Sequence, residues 1–169
     1  MDNPADVQMR PPPLTEGVNM DWMDNGKNME SSPVPAGDFY PALDLARFYA
    51  LYRAPAELPR ELVIHQLEQA IIRVRRELLI WRKQQTAATL ADVEQDTVNG
   101  KGEKVLLWER AVFCETKAEI LRETLTMDRR SAAENNAKSG DETEEKYREF
   151  AADCIALLMG ETRIDVDTL

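Results

Sequence analysis

The chain has 169 residues, enough for one ordinary domain around one hydrophobic core with some chain to spare. Apolar residues make up 43 % of it, aromatics only 7 %, and there are 7 glycines, a balance that disfavours sandwiches and barrels built on many tight turns. The charged fraction of 31 % is well mixed, as in amphipathic helices. The net charge of −10 and pI near 4.7 exclude the overall Lys/Arg excess by which tight DNA binders displace phosphate counterions.

Residues 1–38 read as an extended N-terminal arm. Pro11, Pro12, Pro13, Pro33 and Pro35 lie among Asp, Asn, Met and Gly with no helical or strand period. Such a composition buries too little to offset its ordering entropy. Val7, Met9, Val18, Met20, Trp22 and Met23 are unusual residues to leave in water, however. A solvated tail therefore stands beside a segment that orders on a neighbouring subunit. From Met1 onward there is no basic-then-apolar signal, and no apolar run approaches the ~18 residues of a membrane span, so the sequence predicts neither secretion by that route nor a membrane helix.

Four helices are expected in residues 39–160. The first, over about 43–53, carries Leu43, Leu45, Phe48, Leu51 and Tyr52, with Asp44 as N-cap or first-turn acid. The second runs from about Pro59 to Gln85. Leu62, Leu67, Ile71, Val74, Leu78 and Trp81 form one stripe, and Ile64, Ile72 and Leu79 a second beside it, so this helix should meet more than one partner. Residues 86–103 form a loop in which Asn99-Gly100 signals a turn and Leu90 and Val93 tuck the base against the core. The third helix, over about 104–131, carries Val105, Leu106, Val112, Phe113, Ile120, Leu121 and Leu125. A polar linker over 128–143 precedes the fourth, over about 142–159, with Tyr147, Phe150, Ala151, Cys154, Ile155 and Leu158; Gly160 sits where a helix-terminating glycine belongs. The fold class is all-α, a small four-helix bundle without an internal sheet. Residues 161–169 form a C-terminal tail in which Ile164 and Val166 alternate with Asp165 and Asp167, a strand period with no strand to pair with in its own chain.

Catalytic chemistry needs a nucleophile, an acid–base pair or a metal in fixed geometry. The single histidine, His65, lies mid-helix without a second His or Cys nearby, which disfavours zinc. Cys114 and Cys154 sit on apolar stretches with no C-x-x-C spacing and read as small buried hydrophobes in a reducing compartment. Gly100-Lys101-Gly102 lacks the preceding strand and following Gly-Lys-Ser/Thr of a phosphate loop, and Glu144-Glu145 lies in polar sequence where nothing desolvates it. No catalytic residue, metal or cofactor is expected. The one basic cluster is Arg73, Arg75, Arg76, Arg82 and Lys83. It reads either as a solvated face with local ion pairs or as a subunit–subunit belt in which Arg73, Arg76 and Arg82 meet acids such as Glu115, Glu119 and Glu123 of a neighbour.

Four stretches carry a resemblance. They are Phe39-Tyr40-Pro41; Ala54-Pro55-Ala56-Glu57-Leu58-Pro59-Arg60-Glu61-Leu62; Leu90-Ala91-Asp92-Val93 through Asn99-Gly100-Lys101-Gly102-Glu103-Lys104-Val105-Leu106-Leu107-Trp108-Glu109-Arg110-Ala111-Val112; and Gly160 through Leu169. In this order and spacing, from Phe39 to Leu169, the chain resembles the head-completion proteins of temperate contractile-tailed phages. The resemblance implies a ring-forming connector, arranged as a dodecamer, that binds below the portal protein after DNA packaging. It would close the filled head and present a surface to a tail terminator or neck protein. It further implies a virion protein of the head–tail junction, assembled in the host cytoplasm, whose tail (Arg163, Ile164, Val166, Leu169) enters the portal and whose loop (Val98, Asn99, Gly100, Lys101) faces the phage tail. DNA would pass an acidic channel without specific binding. A helical DNA-binding regulator and a small helical enzyme are the competing classes. The first would call for a basic recognition helix, the second for convergent buried polar groups.

Overall fold

The computed structural model describes residues 30–52, 58–127 and 143–161. Among them the chain is mostly helical: α1 Leu45–Leu51, α2 Arg60–Glu77, α3 Leu79–Gln84, α4 Glu103–Met127 and α5 Glu144–Met159, with a single 3₁₀ turn at Leu90–Asp92. Two short antiparallel pairs accompany the helices. β1 (Pro33–Val34) pairs with β2 (Leu43–Asp44), Val34 opposite Leu43, and β3 (Thr97–Val98) pairs with β4 (Lys101–Gly102). The expectation of a bundle without an internal sheet is qualified by these two-residue strands, which lie in the segments before α1 and α4.

The first pair follows from Asp44. Its carboxylate caps α1 by accepting from the Ala46 N–H (3.0 Å), and also accepts from the Ser32 N–H (2.9 Å) and the Ser31 hydroxyl (3.0 Å). One side chain thus starts the helix and ties residues 31–34 across it. The Ser32 N–H is the largest of the influences that hold the Asp44 carboxyl below its ordinary pKa. Val34 and Ala36 are buried together with Phe39 and Tyr40, so the segment just before Phe39 adds to the core. Leu43 and Asp44, expected in the first helix, belong to β2 and its N-cap because Asp44 takes an extended backbone.

The expected helix over 59–85 is interrupted once. Leu78 has ψ near 0°, but its N–H still reaches the Val74 carbonyl (3.0 Å) and its own carbonyl accepts from Arg82 (2.8 Å). The ladder therefore runs on through a local distortion, with Leu78 fully buried. The Thr143 hydroxyl, expected in the linker, caps the start of α5 by accepting from the Lys146 N–H, and Gly160 ends the helix as expected with φ 79°, a left-handed conformation open to glycine.

α4 is the hub, packing most extensively on α5 and next on α2. Every residue from 111 to 120 is buried, Glu115, Thr116, Lys117 and Glu119 included. A helix covered all round has no solvated face, so its polar residues must find partners inside. The apolar residues expected inside, among them Leu67, Ile71, Val74, Leu78, Val112, Phe113, Ile120, Cys154, Ile155 and Leu158, are all buried. Trp108, also fully covered, stacks on Tyr40 (centroids 4.3 Å) and donates its indole N–H to the Pro41 carbonyl (3.3 Å). The second stripe of α2 behaves differently. Ile64 is half-buried, whereas Ile72 and Leu79 stay half exposed, so no element among the described residues covers that side.

Candidate interaction surfaces

The polar residues of α4 are satisfied by arginines from both flanks. Arg73 of α2 pairs with Glu115 and with Glu119 (2.6 Å). From the other side, Arg148 of α5 reaches Glu115 (2.7 Å), Glu119 (2.9 Å) and, one turn back on its own helix, Glu144 (2.8 Å). Arg122 adds a pair to Glu119. Burial by itself would raise the Glu119 pKa, but its hydrogen bonds from Arg148 and Arg73 outweigh it and leave the carboxyl below its ordinary value. The Thr116 hydroxyl bonds the Val112 carbonyl (2.8 Å), and the Lys117 ammonium lies 5.9 Å from the Tyr147 ring centroid.

This arrangement revises the expected subunit belt. Arg73, Glu115 and Glu119 meet within one chain, where Glu115 is only 5 % and Glu119 2 % exposed, and Glu123 accepts from Gln66 (2.7 Å). The physical reason is register. α2 packs directly on α4, so an arginine on its inward edge meets those acids before any neighbour could. Arg148 was not singled out from sequence. An Arg at helical spacing from Glu144 reads as a local pair, and only the packing of α5 reveals its reach to α4.

Of the other expected basic residues, Arg76 and Lys83 are exposed and Arg82 is partly buried. Arg82 lies over the Phe39 ring (3.7 Å to the centroid) and donates to the Gln85 carbonyl (3.2 Å). Arg75, which the belt omitted, passes beside Gly37, where a β-carbon would stand 3.4 Å from its guanidinium.

The expected loop is a hairpin with an exposed tip. Asn99 (φ 51°) and Gly100 (φ 74°) both take the left-handed backbone that a two-residue hairpin turn requires. Val98 at its side is 56 % exposed, and Lys101 is exposed too. The base is rigid. Gln95 accepts from the Lys104 N–H (2.7 Å) and donates to the Leu90 carbonyl (2.8 Å), filling the space where a β-carbon on Gly102 would stand 2.5 Å from it. Leu90 and Val93 are buried beneath, as the sequence implied. Arg163, Ile164, Val166 and Leu169 of the expected portal-binding tail lie outside the described residues.

Both cysteines are buried and free, and burial pushes the Cys154 thiol up to about 11 and raises Cys114 as well. Among the described residues no group of three or more His, Cys, Asp or Glu is placed to hold a metal, and no helix is long and apolar enough to cross a membrane. His65 is exposed on α2. The molecule so defined is a helical protein braced by internal ion pairs, with its distinctive exposed features on surfaces rather than in an enclosed site. The family model for the phage head completion protein (GPL) matches residues 34–169, and the chain belongs to that family. The family is one of structural phage proteins, and membership gives the chain a role in head completion as a virion component. No curated protein and no solved structure matches the chain.

Proposed function

We propose that the chain is a subunit of a homo-oligomeric ring, a dodecamer, that binds below the portal of the filled head, retains the DNA and offers its free face to the tail. In this reading residues 39–160 form a helical bundle, residues 1–38 an arm whose end packs through Val34 and Ala36, and residues 161–169 a docking tail. The observation that carries the reading is the family match. It spans residues 34–169, from the segment before Phe39 through the hairpin to the tail.

The tail supplies attachment. Ile164 and Val166 alternate with Asp165 and Asp167, so an edge strand of the portal can hydrogen-bond the backbone while Ile164 and Val166 fill one side, Leu169 sits at the rim and Arg163 pairs with a portal acid. A single tail pays for its ordering and binds weakly, whereas a ring of tails binds tightly because attachment of one raises the local concentration of the rest. Helix α5, which ends at Gly160 immediately before the tail, is anchored to α4 through Arg148, so load on the tail passes into the buried core. The exposed hairpin at Val98, Asn99, Gly100 and Lys101 is the surface offered to a tail terminator or neck protein. Arg76 and Arg82 serve the contact between subunits. The net charge of −10 lets DNA pass without sticking, at the head–tail junction of a particle assembled in the host cytoplasm.

The test is truncation after Met159, followed by co-sedimentation with portal-bearing heads and nuclease treatment. The expected result is a folded chain that no longer sediments with the heads, whose DNA becomes nuclease-sensitive. Attachment equal to that of the full chain refutes the docking role of the tail.

A further inference from the structure

Helix α5 delivers the C-terminal tail beside a groove of about 500 Å³. Gly160 itself lines that groove. The Gly160 and Glu161 N–H groups donate to the Leu157 (3.0 Å) and Ala156 (2.9 Å) carbonyls, so the point from which the tail departs is fixed. The apolar wall is Trp81 of α3, Val93, and Leu158 and Met159 of α5. Trp81 and Met159 are only partly covered there. Lys104 and Glu94 also line the groove, and neither forms an ion pair with any described residue. The groove thus offers apolar surface together with one cation and one anion that lack a counter-charge.

Residues 162–169 lie outside the described residues, and their sequence fits this surface in kind and in place. In an extended segment Ile164 and Val166 fall on one side, and Arg163, Asp165 and Asp167 on the other. Ile164 is four residues from Gly160 and Val166 six, spans of at most about 13–14 Å and 20–22 Å, so both can lie against the wall that Gly160 adjoins. Arg163 then serves Glu94, and Asp165 or Asp167 serves Lys104. The acidic, apolar stretch 18–24 of the N-terminal arm carries Asp21 and Asp24 but no cation for Glu94. Tethering adds to the selection. A connection this short keeps the tail at roughly millimolar local concentration, which no untethered partner matches. An alternating segment without a partner strand is also a template for pairing with other chains, and a covered resting place prevents that. We propose that in the free chain the groove beside Gly160 holds residues 163–167 of its own tail and gives them up to the portal. One such contact is weak, so the summed attachments of a ring displace it. The release rests on the docking role proposed above; the contact in the free chain does not.

Paramagnetic relaxation measured on full-length chains in solution tests it. A nitroxide is attached through Thr168→Cys, and the buried Cys114 and Cys154, whose thiols are raised in pKa, are spared. The Trp81 indole and the Ala87 and Glu94 amides report on the groove. Ile164→Ser/Val166→Ser sets the broadening of a tail that merely hangs from Gly160. The expected rate is about two- to fivefold above that level, and Lys104→Glu, an acid tolerated in the first turn of α4, lowers it toward the same level. Equal broadening in all three chains overturns the proposal. So does equal broadening when labelled chains are mixed with unlabelled, isotope-enriched ones, which assigns the groove to another copy's tail. Stronger broadening from a label at Met20→Cys assigns it to the N-terminal arm and overturns the proposal equally. On filled heads the Lys104→Glu chain should dock at about half the concentration the unmodified chain needs, or less, because its tail is already free. No gain overturns the release. Failure of the unmodified chain to dock counts against the docking role alone, because the free chain decides the groove by itself.

Discussion

Replacing Arg148 by Met removes one charge from the cluster on α4 while keeping most of the side chain's length. Arg148 contributes charge-assisted bonds to Glu115 (2.7 Å), Glu119 (2.9 Å) and Glu144 (2.8 Å). Glu144 is 28 % exposed and regains water, so its loss costs little; the Glu115 and Glu119 side chains, at 7 % and 2 %, cannot. A hydrogen bond to a charged group is worth about 1.5–3 kcal/mol, which puts the two lost bonds near the ~3–5 kcal/mol of a broken buried pair. Three things reduce that figure. Arg73 still serves both acids, the methionine keeps the packing of the arginine stem, and Arg148 is itself a third exposed and therefore screened by solvent. About 2–4 kcal/mol is left, a fall in Tm of roughly 4–16 °C for a chain of this size. Thermal unfolding followed by circular dichroism at neutral pH reads it, and amide hydrogen exchange should show α5 losing protection first. In a double-mutant cycle with Glu119→Gln the coupling should be at least ~1 kcal/mol. An unchanged Tm together with unchanged protection of α5 would mean that apolar packing alone holds α5 to α4.

The same cluster predicts a dependence on acid. The Glu119 carboxyl lies below its ordinary pKa in the folded chain, so its contribution is complete above the unfolded value near ~4.3 and is lost as pH falls through the folded value. Glu119→Gln should therefore flatten the acid side of the stability–pH profile, and a parallel profile counts against the cluster. Leu78→Ala should cost about 2–5 kcal/mol because Leu78 is fully buried, whereas Leu79→Ala, half exposed next to it, should change stability by under ~0.5 kcal/mol; chemical denaturation of the two variants compares them directly. Gly160→Ala should lose roughly 1 kcal/mol through backbone strain alone, since φ is 79° and a β-carbon there meets nothing within 4 Å. A measured loss of several kcal/mol would show that more than the turn depends on Gly160.

Helix positions and the apolar core were legible because the period of the stripes and the caps at Asp44 and Gly160 are local signals. The hairpin was legible for the same reason, through Asn99-Gly100. What local pattern could not give was which side of a helix meets which neighbour. Two apolar lines on α2 suggested two covered sides, yet Ile72 and Leu79 are left half exposed. Acids on α4 looked available to another subunit, yet the ring of buried positions from 111 to 120 encloses them within the chain. Arg148 and Gln95 gained their roles only from long-range packing, across 29 and 33 residues to the acids of α4 and across the hairpin to Lys104. The β1–β2 pair was hidden because each strand has two residues, too few to display an alternation.

The central claim, that the chain completes the head at its portal, is tested most directly by electron cryo-microscopy of filled heads. Heads made without the protein are compared with the same heads after addition of the purified full chain, reconstructed without imposed capsid symmetry. The account predicts new helical density at the single portal vertex, arranged as a ring around the DNA channel, with the C-terminal residues against the portal and the Val98–Lys101 hairpin on the side away from it. Density spread over the capsid shell, or a portal vertex unchanged by saturating protein, would contradict it.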